Sequence, residues 1–220
     1  MMTNDRFQPD PLAESNASPG ERRRQIVAAA AALFWEKGYH GASMRDIGDR
    51  VGLLKGSLYA HVANKEEILL EIVSTTFRCF SDAFVRAREG DQDAVNTLHR
   101  ALRAHLRVLE DDPGSAYVFF HESRCLGGQP GSWVREALSR YAGLWEDLLR
   151  AGVRSGAFRP DLDTAAAALL ILATADWAEC LPGGTGHDPH DRADRITRLV
   201  LGGLRPDALA SPPPPTVSPL

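Results

Sequence analysis

Cysteine is scarce in this chain of 220 residues: Cys79, Cys125 and Cys180 stand far apart, without CxxC or CxH spacing. An odd number with no pairing pattern argues against a disulfide framework and against a cysteine-based zinc site. Each thiol is instead expected to pack as a small buried apolar group. Long apolar runs are also missing. The longest, Ala165 to Ala175, falls short of the roughly 20 residues that span a bilayer. The first twenty residues carry acids and prolines but no apolar core of a signal peptide, so a soluble cytoplasmic protein with no membrane partner is expected. No P-loop, no GxGxxG after a strand and no GxSxG occurs, and no enzyme, cofactor or metal is expected. His187-Asp188-Pro189-His190 holds two imidazoles, but its proline and loop setting read as a surface turn. No segment alternates with period two for long enough to make a strand, so the fold class is all-α.

What is present is unevenly distributed. The apolar fraction of 44% and charged fraction of 25% are those of an ordinary globular protein, and the net charge is -4. Between Arg22 and Lys65, however, eight basic side chains face only three acids, Glu36, Asp46 and Asp49. A basic N-terminal segment on an acidic body is the asymmetry expected when one module alone meets phosphate.

Residues 1–20 read as a disordered arm, and residues 205–220, ending in a run of prolines, as a disordered tail that cannot join a helix. From Glu21, Ile26, Ala29, Ala30, Leu33 and Phe34 recur at helical spacing until Gly38. Ser43 caps a short helix with Met44, Ile47 and Val51 on one face, and Gly52 breaks it. Leu54, Leu58 and Val62 mark a second short helix, and Asn64 caps a third that runs through Phe77, Phe80 and Phe84 to Glu89. Further helices are expected over 91–110, 115–126, 132–155, 163–181 and 188–204, separated by Asp112-Pro113-Gly114, Gly127-Gly128-Gln129-Pro130, Gly156 and Pro182-Gly183-Gly184. The expected organisation is a small helical unit over 21–68, with a helix-turn-helix motif at 44–63, and a larger helical unit over 69–204, which the family resemblance below makes a DNA-binding domain and a ligand-binding and dimerisation domain.

Small residues set the motif apart from an arbitrary helical hairpin. Gly48, beside Ile47 on the inner face, allows a second helix to cross close to the backbone. Gly52 takes the turn, where φ > 0 is expected. Ile47, Val51, Leu53 and Leu58 then form a minimal core, with the second helix free to enter a major groove. By chemistry, Ser43 and Arg45 suit phosphate contacts at a helix start. Lys55 and Ser57 are the candidate base readers, since lysine can donate to guanine O6 and N7. Gly56 lets the backbone approach the DNA, and Arg22, Arg23 and Arg24 can reach an adjacent backbone or minor groove.

Leu33-Phe34-Trp35-Glu36-Lys37-Gly38-Tyr39 before the motif and Leu58-Tyr59-Ala60-His61-Val62-Ala63-Asn64-Lys65-Glu66-Glu67-Ile68 at its end resemble the signature of the TetR family of transcriptional regulators. Val62 stands where the family usually has Phe, and Gly48 and Val51 where it usually has Ala. By this resemblance Tyr59 and His61 are a phosphate-contacting pair and Lys65 a phosphate lysine. The resemblance also implies an N-terminal three-helix DNA-binding domain and a C-terminal bundle that holds an effector. Its last two helices would pair with a second copy to give a homodimer on a palindromic double-stranded DNA operator. Ala165, Leu169, Leu172 and Asp176 on one helix, and Ile196, Leu199, Val200 and Leu204 on the next, are compatible faces.

Leu54 occupies a position where the family usually has a capping Ser or Thr. Its segment, with "HESR", "GAFRPD" and "DWAECLPGG" further on, resembles the subset that regulates fatty-acid, steroid or other acyl-CoA catabolism. The expected function is therefore a repressor released by a small apolar effector such as an acyl-CoA. Phe120, His121, Arg124, Trp145 and Trp177 are the candidate ligand residues, and Arg103, Arg107 or Arg124 candidate partners for CoA phosphates. A drug- or metabolite-sensing repressor of an efflux gene is the alternative within the family. A helical interaction protein that binds no DNA is the alternative outside it, and salt-dependent binding to duplex DNA separates the two classes.

Overall fold

Ser18 starts the first helix. Its hydroxyl accepts from the Glu21 amide at 3.3 Å while the Glu21 carboxylate accepts from the Ser18 amide at 2.8 Å, a reciprocal cap with Pro19 in the first turn. The helix α1, Pro19–Gly41, thus begins inside the stretch expected to be an unstructured arm, because Ser18 and Pro19 are good starting residues. The computed structural model describes residues 18–90, 93–180 and 189–204, without side chains over 175–180 and 189–193. The rest of the arm, the tail, the turn at 182–184, and the side chains of Trp177, Cys180 and His190 lie outside the described residues.

All regular structure among the described residues is helical. After α1 come α2 (Met44–Arg50), α3 (Lys55–Tyr59), α4 (Lys65–Arg88), α5 (Ala94–Asp111), α6 (Pro113–Tyr117), α7 (Gly128–Arg154), α8 (Thr164–Cys180) and α9 (Pro189–Leu204). Asn64 caps α4 by accepting from the Glu67 amide, and Glu66 and Glu67 sit at its positive end. At 24 residues, α4 is about 36 Å long, and it runs unbroken from the helix-turn-helix into the C-terminal bundle. Against it pack α5, α7 and the segment after α6, while α8 lies on α7 and α9 on α5. The core follows α4: Ile68, Leu69, Ile72, Phe80 and Phe84 share one buried cluster with Leu98, Leu102, Trp145 and Leu149, all at most 1% exposed.

Two expected boundaries shift. Residues expected as one helix over 115–126 form α6, a π-helical turn at Val118–Glu122 and a 3₁₀ turn at Ser123–Cys125. The wide turn admits one extra residue, and Phe119 and Phe120 both reach Phe80, at ring-centroid separations of 5.5 and 5.8 Å. Helix α7 starts at Gly128 rather than 132, because Pro130 falls in its first turn, where no intrahelical donor is needed. The cysteines also depart from expectation: Cys79 is exposed, and Cys125 is half-buried beside His40 (Sγ to Nε2, 3.5 Å) and Glu122.

Gly38 bends the end of α1 at φ 73°, ψ 160° and turns the buried Tyr39 back onto Phe34, ring to ring at 5.2 Å. Almost only glycine holds that conformation. Space is not the limit, since an added Cβ would meet only the Glu122 carboxylate, at 3.7 Å. Gly38→Ala should therefore destabilise the protein by about 1–3 kcal/mol, whereas Gly20→Ala, helical and in open space, should not. Urea unfolding midpoints decide; equal midpoints for the two variants would contradict the reading.

Candidate functional site

The helix-turn-helix is assembled by caps, one close approach and a bridge of charges. Ser43 caps α2 by accepting from the Asp46 amide at 3.1 Å, and Asp46 accepts in return from the Ser43 amide and hydroxyl and from Lys37. These bonds, those from Ser43 foremost, hold the Asp46 carboxyl down at about 2, below its ordinary 3.8. Gly52 makes the turn at φ 67° as expected. An added Cβ on Gly48 would lie 3.0 Å from the Leu53 carbonyl, so the crossing of α2 and α3 depends on the missing side chain. Leu58 is buried against this crossing, and Leu54, which precedes α3, supplies no capping bond and is 83% exposed.

On the outer face Arg45, Lys55, Gly56 and Ser57 are all exposed, and Tyr59 is 44% exposed. A cleft of about 480 Å³ between α2 and α3 brings Ser43, Arg45, Lys55 and Tyr59 together around Leu53 and Leu54. Arg45 faces Asp49 at 3.6 Å, but both are largely exposed, and such pairs contribute little. The first residues of α3 thus stand free of the body while its buried side holds Leu58.

Three expected contact residues are placed otherwise. Arg23 spends its guanidinium inside the domain, on Glu67 (2.7 Å), on Glu71 and on the His61 carbonyl. The bonds to Glu71 and Glu67 raise its pKa, and Arg23 in turn lowers that of Glu67. In the free chain its donors are thus engaged within the domain, on two carboxylates and a carbonyl. His61 is half-buried and joins this cluster through its backbone carbonyl. Lys65, also half-buried, donates to the carbonyls of Tyr39 (2.7 Å) and Ala42 (2.8 Å), and its ammonium lies 4.4 Å from the Tyr39 ring centroid. It ties the start of α4 to the α1–α2 turn.

The second constellation lies where α4, α5 and α7 converge with the π-helical turn. Phe80 stacks on His105 at 4.7 Å, and the His105 Nδ1 lies 2.9 Å from the Tyr141 hydroxyl. Trp145 meets Phe84 at 5.1 Å, and its buried indole N–H has no hydrogen-bond partner among the described residues. Of the expected ligand residues, Trp145 lies fully inside this nucleus and Phe120 touches it through Phe80. His121 stacks on Tyr117 at 4.5 Å, and Arg124 is exposed. His105, not among the expected residues, is 1% exposed. Its signal was an imidazole at i+7 of an apolar stripe through Leu98, Leu102 and Leu109.

Comparison with known proteins places these features together. Residues 26–72 match the family model for bacterial regulatory proteins of the tetR family, and residues 91–204 match that of the tetracyclin repressor-like C-terminal domain. The chain is 32% identical over 191 residues to the HTH-type transcriptional repressor KstR2 of Mycobacterium tuberculosis, covering 83% of this chain and 92% of that one. Among solved structures it resembles the TetR family regulator PfmR of Thermus thermophilus, with a TM-score of 0.75 and 30% identity over 82% of this chain and 98% of that one. It shares its fold with AibR, solved in complex with isovaleryl coenzyme A and operator DNA, at a TM-score of 0.73 and 24% identity over 84% of this chain and 99% of that one.

The α2 cap carries a pH prediction. A carboxyl whose folded pKa is depressed contributes stability that is complete above its unfolded value, near 3.8, and is lost as pH falls through about 2. The gap in thermal midpoint between the protein and its Asp46→Asn variant should hold steady from neutral pH to about 4 and close toward pH 2. A gap that widens on acidification would overturn the assignment.

Proposed function

The chain belongs to the TetR family of bacterial regulatory proteins, and on that premise we propose a homodimeric repressor that leaves a palindromic operator when a small apolar effector binds its helical domain. It is a DNA-binding transcription regulator and not an enzyme; repression, the dimer, the contact residues and the effector are the proposed parts. The observation that carries the DNA face is the exposure of Lys55, Gly56 and Ser57 at the start of α3, beside Ser43 and Arg45 at the start of α2. Lys55 and Ser57 read base edges; Ser43, Arg45 and Tyr59 meet phosphates. Lys65, Arg23 and His61 act through the fold by holding this face on α4.

Leu169 and Leu170 on α8 and Leu199 on α9 are 61%, 68% and 78% exposed, and these apolar side chains open to solvent support pairing with a second copy. Repression follows the relative KstR2, which is named a repressor.

The effector reading rests on the unpaired Trp145 N–H. An unsatisfied buried donor costs about 1–3 kcal/mol, and an acceptor on a bound molecule would recover it. A ligand with a long apolar part and a carbonyl, such as an acyl thioester, would match the chemistry of a nucleus of Phe80, Phe84, Phe120 and Trp145 that also holds the polar pair His105 and Tyr141. AibR, of the same fold, was solved with isovaleryl coenzyme A. The ligand acts only through its differential affinity for the two subunit arrangements; a hundredfold preference is worth roughly 2.7 kcal/mol.

Two outcomes follow. In binding to duplexes selected by the purified protein, Lys55→Ala and Ser57→Ala should each cost about 1–3 kcal/mol and relax the sequence preference at one position. Lys65→Ala should weaken binding to every duplex alike and lower the thermal midpoint of the free protein. Altered sequence preference in the Lys65 variant with none in the Lys55 variant would reverse the roles. For the effector, acyl-CoAs of graded chain length should release the operator while free CoA and free acids do not, and Trp145→Phe should blunt the release without weakening operator binding. Release by aromatic cations alone would favour a drug-sensing regulator instead.

A further inference from the structure

Two neighbouring leucines between α2 and α3 are placed in opposite ways. Leu53 is half-buried and packs on the core, and its amide donates to the Gly48 carbonyl at 2.9 Å. Leu54 is 83% exposed, more than any other large apolar side chain among the described residues. Its backbone is nonetheless fixed on both sides. Residue 53 is tied to α2, and the Leu54 carbonyl accepts from the Leu58 amide at 3.0 Å in the first turn of α3. A serine or threonine at this helix start would accept from an open amide, and Leu54 makes no such bond. A single exposed leucine is ordinary on a protein surface. This one lines the cleft between α2 and α3 beside Arg45, Lys55 and Tyr59, an apolar point among cations.

We propose that Leu54 reads the C5-methyl group of a thymine in the major groove of the operator. The proposal rests on the reading above that the start of α3 enters that groove, and it adds a contact of different chemistry. Lys55 and Ser57 meet base edges through hydrogen bonds, whereas a leucine side chain has no donor or acceptor. Among the groups displayed in the major groove, only the thymine methyl is apolar. Covering it removes apolar surface of both partners from water. A cytosine in its place presents an amino donor, which the leucine would strip of water without accepting its hydrogen bond. Consecutive Cα atoms lie about 3.8 Å apart, close to the roughly 3.4 Å between successive base pairs. The thymine therefore belongs to a pair adjoining the one that Lys55 reads. With the backbone fixed on either side of Leu54, little ordering is needed to bring its side chain to the base.

The test measures equilibrium binding of the full chain, at fixed salt, to a duplex selected by the purified protein. Each thymine of one half-site is replaced in turn by deoxyuridine, which removes the methyl group and keeps the hydrogen-bonding groups of the base. At one thymine, adjoining the position where Lys55→Ala relaxes the preference, the exchange should weaken binding about fourfold, the worth of one buried methyl-sized group. In Leu54→Ala and Leu54→Ser the same exchange should change affinity by less than about 1.5-fold, since the apolar partner of the methyl is gone. Serine can also cap α3. Leu54→Ser should therefore keep or raise the thermal midpoint of the free protein while losing the preference for thymine; a residue that only supported the fold would lose both together. No thymine whose methyl matters, or a preference for thymine that persists in both Leu54 variants, overturns the assignment. If Lys55→Ala and Ser57→Ala still relax the sequence preference in that case, the reading of α3 stands without Leu54. A preference for thymine that depends on Leu54, with no change of specificity in the Lys55 and Ser57 variants, supports the Leu54 contact and removes the roles given to those two residues.

Discussion

Everything at the N-terminal end depends on how α4 is tied to the helices that precede it. Arg23 on α1 meets Glu67 and Glu71 on α4, and Lys65 on α4 reaches back to the carbonyls of Tyr39 and Ala42. Two cations therefore clamp the start of the long helix, one to each end of α1. The α2–α3 unit has little core of its own, chiefly Ile47 and Leu58, and a unit that small cannot hold a defined angle by burial alone. Polar ties with fixed geometry do what apolar area cannot: they make the direction of α3 a property of α4.

The same helix reaches the aromatic nucleus. Phe80 and Phe84 lie on α4 four turns or more beyond Lys65, so a displacement of α4 at the nucleus is carried to the clamp through one continuous run of backbone hydrogen bonds. The π-helical turn is the other neighbour of both regions: Phe119 and Phe120 touch Phe80, and Glu122 lies near Gly38 and Cys125. Coupling between a proposed ligand and a proposed reading face thus has two physical routes, a rod and a wedge, and neither needs a long-range charge effect.

Charge has a different part. The basic segment from Arg22 to Lys65 looks like a phosphate-binding surface when counted along the chain, yet several of its cations are internally engaged. Arg23 and Lys65 are clamps, Arg50 pairs with Glu36 at 2.6 Å, and Lys37 serves Asp46. What is left facing outward is a smaller set, centred on Arg45 and Lys55. Attraction to DNA at a distance follows the sum of charges, but contact follows the few whose donors the protein leaves open to solvent.

The sequence by itself determined the all-helical class, the caps at Ser43 and Asn64, the turn at Gly52 and the small residue at Gly48, and through its signature the family. Each of these is decided within a few residues, by periodicity, by a side chain reaching a neighbouring amide, or by a backbone angle that glycine alone takes cheaply. Tertiary structure decided which cations are free, which aromatic rings converge, and where the segment after α6 leaves the regular helix. Arg23 and Glu71 are 48 residues apart, and His105 and Tyr141 36. Lysine and arginine look alike in a sequence whether they face water, a phosphate or a buried carboxylate, because the choice rests on which partner the fold brings within about 3 Å. Local rules read the elements; only packing tells what each exposed or buried end of a side chain meets.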